Sequence, residues 1–227
     1  MLNMHVALSI GGSKINPNGT PDLKFIRSMA AIIKKSKNSF AVLTGGGHPA
    51  RVHANALRKL GLNEYEADSI AITSTRQNAQ LMIAGLISAG VDVHKEVLTD
   101  FEKAKNMKNK VVIMGGTIPG ITTDADAVLL AEAMGAKRIV NISNVDGIYD
   151  SDPRKNRKAK KYSKMSYDEL INLAKGSDKR KAGTNFVFDM LACRLIARSK
   201  IETHFVSEKD MEKAIEGKKH NGTVVSI

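Results

Sequence analysis

Three times in this chain a short run of apolar, β-prone residues ends in a cluster of glycines and passes into a helical pattern. HVALSI (5–10) leads to Gly11-Gly12-Ser13-Lys14 and FAVLT (40–44) to Gly45-Gly46-Gly47. VVIMG (111–115) leads to Gly116-Thr117, with Pro119-Gly120 and Thr122-Thr123 just beyond. Nearly every position in these runs is apolar, as strands covered on both faces require, and RIVNIS (138–143) reads the same way. Between them, residues 23–35 carry Phe25, Ile26, Met29, Ile32 and Ile33 at helical spacing, and residues 67–90 carry Ile70, Leu81, Ile83, Leu86 and Ile87. Residues 125–134 are a further short helix ending at Gly135. Strands alternating with helices imply βαβ units, hence α/β with a parallel sheet. The pattern continues with helices expected at 167–175, 185–199 and 209–216 and strands at 203–206 and 223–227.

The glycines point to a ligand. Open parallel sheets bind at the carboxyl ends of their strands. Glycine there lets the backbone come close, and free N–H groups with a helix N-terminus receive phosphate oxygens. A single such loop is an ordinary turn; three in one small chain favour phosphate binding. The phosphate loop GxxxxGK[ST] is absent. A dinucleotide reading stays open on Gly45-x-Gly47-x-x-Ala50 with Asp68 about 20 residues on, but it leaves the other two glycine loops unused. Arg51 falls in the first turn of the helix after Gly47, where a cation opposes the helix dipole unless it meets an anion.

Composition narrows the partners. The chain of 227 residues carries 35 Lys+Arg against 23 Asp+Glu, a net charge of +12, which favours phosphates or nucleic acid. Aromatics at 4% and no tryptophan speak against a base-stacking nucleic-acid binder. Seven cations fall between Arg154 and Lys164 without an acid, ordinarily a solvated loop, alternatively a basic rim beside a phosphorylated substrate. Cys193 is the sole cysteine, which excludes an intrachain disulfide and fits a reducing compartment. No apolar run nears the ~20 residues of a membrane span, and MLNMHVALSIGGSK enters a strand without a leader pattern, so a soluble cytoplasmic protein is expected. Without a Pro/Ser-rich linker or repeat, residues 1–227 are expected to form a single domain.

The ordered set IGGS (10–13), TGGGxxAR (44–51), GGTxPGxTTDA (115–125) and NVDGIYxxDP (144–153) resembles the amino acid kinase superfamily. The threonine-rich third loop with the TRxNA-like stretch from Asp68 to Ala79 points to the archaeal-type uridylate kinases within it, and the match runs over essentially the full chain, including KAGT (181–184) and HNGT (220–223). The resemblance implies a three-layer αβα sandwich around a mostly parallel sheet, with UMP on an N-terminal lobe (about 1–135) and ATP on a C-terminal lobe (about 136–227). It implies phosphoryl transfer from ATP to UMP, Mg²⁺ held by phosphates and water with no protein ligand assigned, pyrimidine nucleotide biosynthesis, and a homo-oligomer, commonly a hexamer. By the same resemblance Ser9, Ile10, Gly11, Gly12, Ser13 and Gly47 cradle the transferring phosphates of ATP, and Arg51 offsets their charge. Gly46, Asp68, Thr117, Ile118, Pro119, Gly120, Ile121, Thr122 and Thr123 hold UMP, with Asp68 on the ribose. Ser143, Asn144, Tyr149 and Asp152 form the base and ribose pocket of ATP, and Asp146 organises the active-site cations. Asp189 and Lys181 are further candidates near the nucleotide.

Plainer readings stand beside these. Arg51 and Asp68 could be helix-surface residues, Thr122 and Thr123 a helix cap, Tyr149 a core filler and Asp146-Gly147 a simple turn. His48 and His53 read as packing or surface residues. Met82, Ile83 and Leu86 could be core or subunit interface. Many superfamily members carry a phosphate-binding lysine where this chain has Ser9, so Lys14, Arg51 or Mg²⁺ is expected to supply that charge. Two other functions remain: an isopentenyl phosphate kinase, which would leave Asp68 without a ribose, and a non-catalytic nucleotide sensor or storage protein.

Overall fold

The computed structural model describes residues 5–153, 155–177 and 188–227. The N-terminal half runs β1 (His5–Ile10), α1 (Gly12–Ile15), α2 (Leu23–Lys35), β2 (Ser39–Thr44), α3 (Gly47–Lys59), α4 (Glu64–Ser88), α5 (Phe101–Lys105), β3 (Val111–Met114) and α6 (Thr123–Ala133). There follow β4 (Arg138–Ser143), β5 (Ile148–Tyr149), β6 (Lys161–Tyr162), β7 (Lys164–Met165), α7 (Tyr167–Ser177), α8 (Met190–Ser199), β8 (Glu202–Ser207), a 3-10 turn (Glu208–Asp210), α9 (Met211–Ile215) and β9 (Thr223–Val225). Seven strands make one sheet in the order β3-β2-β1-β4-β8-β9-β7, while β5 and β6 form a separate antiparallel hairpin. The five strands from β3 to β8 are mutually parallel, and β9 runs against β8.

The continuous apolar runs are explained by two covered faces. Val6, Leu8, Ile10, Phe40 and Val42 point into one layer with Phe25 and Met29 of α2, Met82, Ile83 and Leu86 of α4, and Ala214 and Ile215 of α9. Their alternates go to the opposite layer: Ala7 and Ile139 meet α6, α7 and α8, and Ala41 and Leu43 meet α6 and α5. Helices on both faces of a mostly parallel sheet make the expected α/β sandwich. Met82, Ile83 and Leu86 are wholly buried within the chain, which settles them as core.

Several expected boundaries move for local reasons. The helix expected at 67–90 starts at Glu64 because the Asn63 side chain accepts the Tyr65 and Glu66 N–H groups. The one expected at 185–199 starts at Met190, where Asp189 caps it; residues 185–187 lie outside the described residues. The expected 209–216 helix divides into the 3-10 turn and α9, and the last strand ends at Val225.

Candidate active site

Because β1, β2 and β3 are adjacent and parallel, their three glycine corners leave the sheet at one edge. The ladder carries into them: Ile10 stands level with Thr44 and with Ile142, and beyond it Gly45 N–H donates to Ile10 O and Gly11 N–H to Ile142 O, each at 2.9 Å. The first two corners interlock so tightly that a Cβ on Gly12 would stand 2.3 Å from Gly45 O. Gly47 has φ +68°, a conformation that favours glycine.

The helix starts differ in a telling way. Side chains cap α2, α4, α5, α6 and α8, whereas α1, α3 and α9 have no side-chain cap, and of these α1 and α3 begin on glycine. Pro49 has no N–H, so the Gly47 and His48 N–H groups are the first-turn donors of α3 left without a helical acceptor or a side-chain cap, an anion-binding arrangement. Arg51, exposed and one turn into α3, brings its guanidinium within 3.5 Å of the Ser13 hydroxyl, so charge and amides converge there. Lys14 turns elsewhere: its ammonium pairs with Glu208 at 2.8 Å and lies 5.2 Å from the centre of the Phe25 ring. Of the two side chains expected to replace the missing lysine, Arg51 is the one placed at the corners.

Residues of α4 hold the second corner, and α4 with α6 holds the third. Thr44 Oγ1 donates to Thr75 O at 2.9 Å, and Asn78 Nδ2 to Gly45 O at 2.8 Å. Gly116 N–H donates to Thr75 Oγ1, and Thr117 N–H to the Asp126 carboxylate. This corrects the expectation that these two N–H groups are free for phosphate, because side chains already satisfy them. The segment from Ile118 to Ile121 arches outward, and Gly120 N–H donates to Asp68 Oδ2 at 2.9 Å. Thr122 caps α6, its hydroxyl accepting from Ala125 N–H and donating to Asp189. The capping reading of Thr122 therefore holds.

Ser9 closes the floor of the site. It receives a hydrogen bond from Asn141 Nδ2 at 3.3 Å and also bonds the carboxyl of Asp124 on the first turn of α6. Burial, then the nearby Asp189 carboxylate, push Asp124 up to about 7, against the Ser9 bond. Sequence reading passed over Asp124, Asn141, Thr75, Arg76 and Asn78. The signal was present for most of them, in TTDA and in the TRxNA-like stretch, but their inward direction was not.

In the C-terminal half, Ser143 Oγ accepts from Val145 N–H and shapes the turn after β4, with Asn144 exposed beside it. Asp146 is more than a turn residue. Its carboxylate accepts from Tyr149 Oη at 2.7 Å and from Lys161 Nζ at 2.8 Å; burial opposes ionisation, but these bonds hold it below the usual carboxylate range. The same hydrogen bond, then burial, push the Tyr149 phenol up to about 12, so the ring stands as a neutral donor on the β5–β6 hairpin and is only half buried. Thr223 of HNGT pins that hairpin, accepting from Ile148 N–H and donating to Tyr162 O. Asp152 O accepts the Lys155 and Asn156 N–H groups, turning the chain into the basic stretch. His48 and His53 are exposed on α3. Lys181 lies outside the described residues.

A model of the amino acid kinase family matches residues 4–207. The uridylate kinase of Thermococcus kodakarensis is 44% identical over 98% of this chain and 99% of its own length. That of Archaeoglobus fulgidus is 39% identical over 98% and 100%. The crystal structure of the A. fulgidus uridylate kinase superposes with a TM-score of 0.84 at 38% identity, covering 98% of this chain and all of that one. A UMP kinase from Bacillus anthracis, 21% identical with a TM-score of 0.81 over 98% of this chain and 96% of its own, shows the same fold.

Proposed function

The chain belongs to the amino acid kinase family, and from that premise we propose that it transfers the γ-phosphoryl group of ATP to UMP, giving UDP and ADP. One observation carries the reading beyond family: the three glycine corners leave adjacent parallel strands at one edge, with Arg51 at the ATP side and the Asp68–Gly120 arch at the acceptor side. A phosphate oxygen of UMP attacks the γ-phosphorus as the bond to the bridging oxygen of ADP breaks. The attacking oxygen is already ionised, so the step needs alignment and charge neutralisation and no general base.

The residues divide the work. Gly11, Gly12, Ser13, Gly47 and Arg51 hold the transferring phosphates, and Arg51 supplies the cation that Ser9 does not. Asp68 accepts from the ribose hydroxyls once Gly120 N–H releases it, and residues 118–123 enclose the acceptor. Ser143, Asn144, Tyr149 and Asp152 receive the base and ribose of ATP, with Tyr149 set by Asp146. The N-terminal lobe thus serves UMP and the C-terminal lobe ATP. Mg²⁺ belongs to this reading on the ATP phosphates. There it would be held by phosphate oxygens and water, with no protein ligand assigned, and would neutralise charge on the transferring oxygens.

Production of UDP places the enzyme in pyrimidine nucleotide synthesis. The lone cysteine supports a cytoplasmic setting, and among the described residues no helix is long and apolar enough to cross a membrane. A homo-oligomer, commonly a hexamer, is what the resemblance to the superfamily implies. Coupled ADP-release assays with UMP, CMP and isopentenyl phosphate test the reading. UMP is expected to be preferred; preference for the isoprenoid, or ATP and UMP binding without ADP release, overturns it.

A further inference from the structure

The acceptor loop is tied to α6 at both feet by one residue that no functional motif accounts for, at the first foot through its side chain and at the second through its backbone N–H. Asp126 lies in the first turn of α6 and is 0% exposed. Its Oδ2 accepts Thr117 N–H at 3.0 Å and its Oδ1 the Thr117 hydroxyl at 2.7 Å, while its own N–H donates to Thr122 O at 3.0 Å. Thr117 opens the outward arch and Thr122 closes it, so a single residue of α6 sets the distance between the two feet.

From the other side Arg76 of α4 grips the same foot, its guanidinium donating to Gly116 O and to Thr117 O. With Thr75 Oγ1 on Gly116 N–H, the N–H and C=O groups of Gly116 and Thr117 are all taken by side chains. The backbone N–H groups of this foot are therefore not free for a ligand, and the donors left for one lie in residues 118–123. A loop gripped this fully is costly to shift, because each buried polar group would lose its partner. Burial pushes the Asp126 carboxyl up, while Thr117 and Arg76 work to keep it ionised.

We propose that Asp126 is a positioning residue for the acceptor site, setting the opening of the 117–122 arch and thereby the fit of UMP without touching it. This rests on the UMP-phosphorylating reading above. Asp126→Val removes both acceptors at similar bulk. It is expected to raise KM for UMP about tenfold, the worth of one charged hydrogen bond, with kcat and KM for ATP within about threefold. Asp126→Asn keeps an acceptor for Thr117 N–H and a donor for its hydroxyl, and is expected to restore most of the loss. Thr117→Val, which keeps the backbone bond, should raise KM for UMP less than Asp126→Val and add little on top of it.

Calorimetric titration of UMP, run beside the kinetics, separates the two claims. A parent enzyme that binds no UMP overturns both. UMP binding by the parent with an unchanged affinity in Asp126→Val, or equal losses for UMP and ATP, overturns the role of Asp126 alone. Should Asp126→Val not fold, Thr117→Val carries the comparison: an unaltered KM for UMP in that variant defeats the proposal.

Discussion

Gly12 and Gly47 meet so closely that a Cβ on Gly12 would stand 2.2 Å from the Gly47 nitrogen, which makes the first two phosphate corners a single joint. The listener to any change at Gly12 is backbone, which cannot swing aside as a long side chain would. Gly12→Ala is therefore expected to lower stability by about 1–3 kcal/mol. Turnover should fall at least about a hundredfold, the penalty of displacing a phosphate cradle by about 1 Å. Thermal melts and steady-state rates on the same preparation check this; a variant with parental turnover denies the joint.

Arg51 is exposed and anchored only weakly, by Ser13, so its removal touches function more than folding. Arg51→Ala should lose about 10²–10³ in kcat, as for other lost charge stabilisers, with stability within about 0.5 kcal/mol. Arg51→Lys should recover only part, since an ammonium lacks the planar fork. Full activity in Arg51→Ala would hand the charge role to another group.

Asp68 must exchange Gly120 N–H for ribose hydroxyls if it reads the sugar. In the parent, dUMP, which lacks the 2′-hydroxyl, should then show a higher KM than UMP. Asp68→Ala should raise KM for UMP by about tenfold and bring the two nucleotides together. An undiminished preference for UMP in the variant rules out the ribose contact.

Asp124 holds its proton up to about pH 7 in the folded state, against about 3.9 in an unfolded chain. The folded form binds more protons between these values, so this group makes stability fall as pH rises from about 4 to 7. Asp124→Asn should be more stable than the parent above pH 7, match it more closely near pH 4, and be much less active. Chemical denaturation at several pH values decides it, and a parallel pH profile in the variant would refute it.

His204 and His220 form a neutral relay. Gly222 N–H donates to His220 Nδ1 at 3.0 Å, so the proton of His220 sits on Nε2, which lies 2.7 Å from His204 Nδ1; His204 Nε2 then donates to Glu202 at 2.8 Å. Burial first, with Arg138 nearby, lowers both imidazoles below the usual range. Their contribution to stability is present above about pH 6.5 and is lost as pH falls through the lowered values. His204→Gln should flatten the decline in stability as pH falls below about 6.5; an equally steep decline would show the relay to be irrelevant.

The glycine clusters, TTDA and the TRxNA-like stretch made the acceptor and phosphate residues readable, because glycine where a backbone must come close has few substitutes. The strands were legible for a similar reason, since continuous apolar runs have only a doubly covered sheet to enter. Other features were not legible. Lys14 and Arg51 both looked able to supply charge, and only the pairing of β8 beside β4 brought Glu208, in the turn after β8, to Lys14. Gly116 and Thr117 promised free N–H groups until α4 and α6 closed on them. The sequence by itself determined the layered α/β fold and which corners carry glycine, since both follow from local periodicity and backbone conformation. Only the tertiary structure decided which donors remain for a ligand, because a hydrogen bond or ion pair depends on partners dozens of residues away.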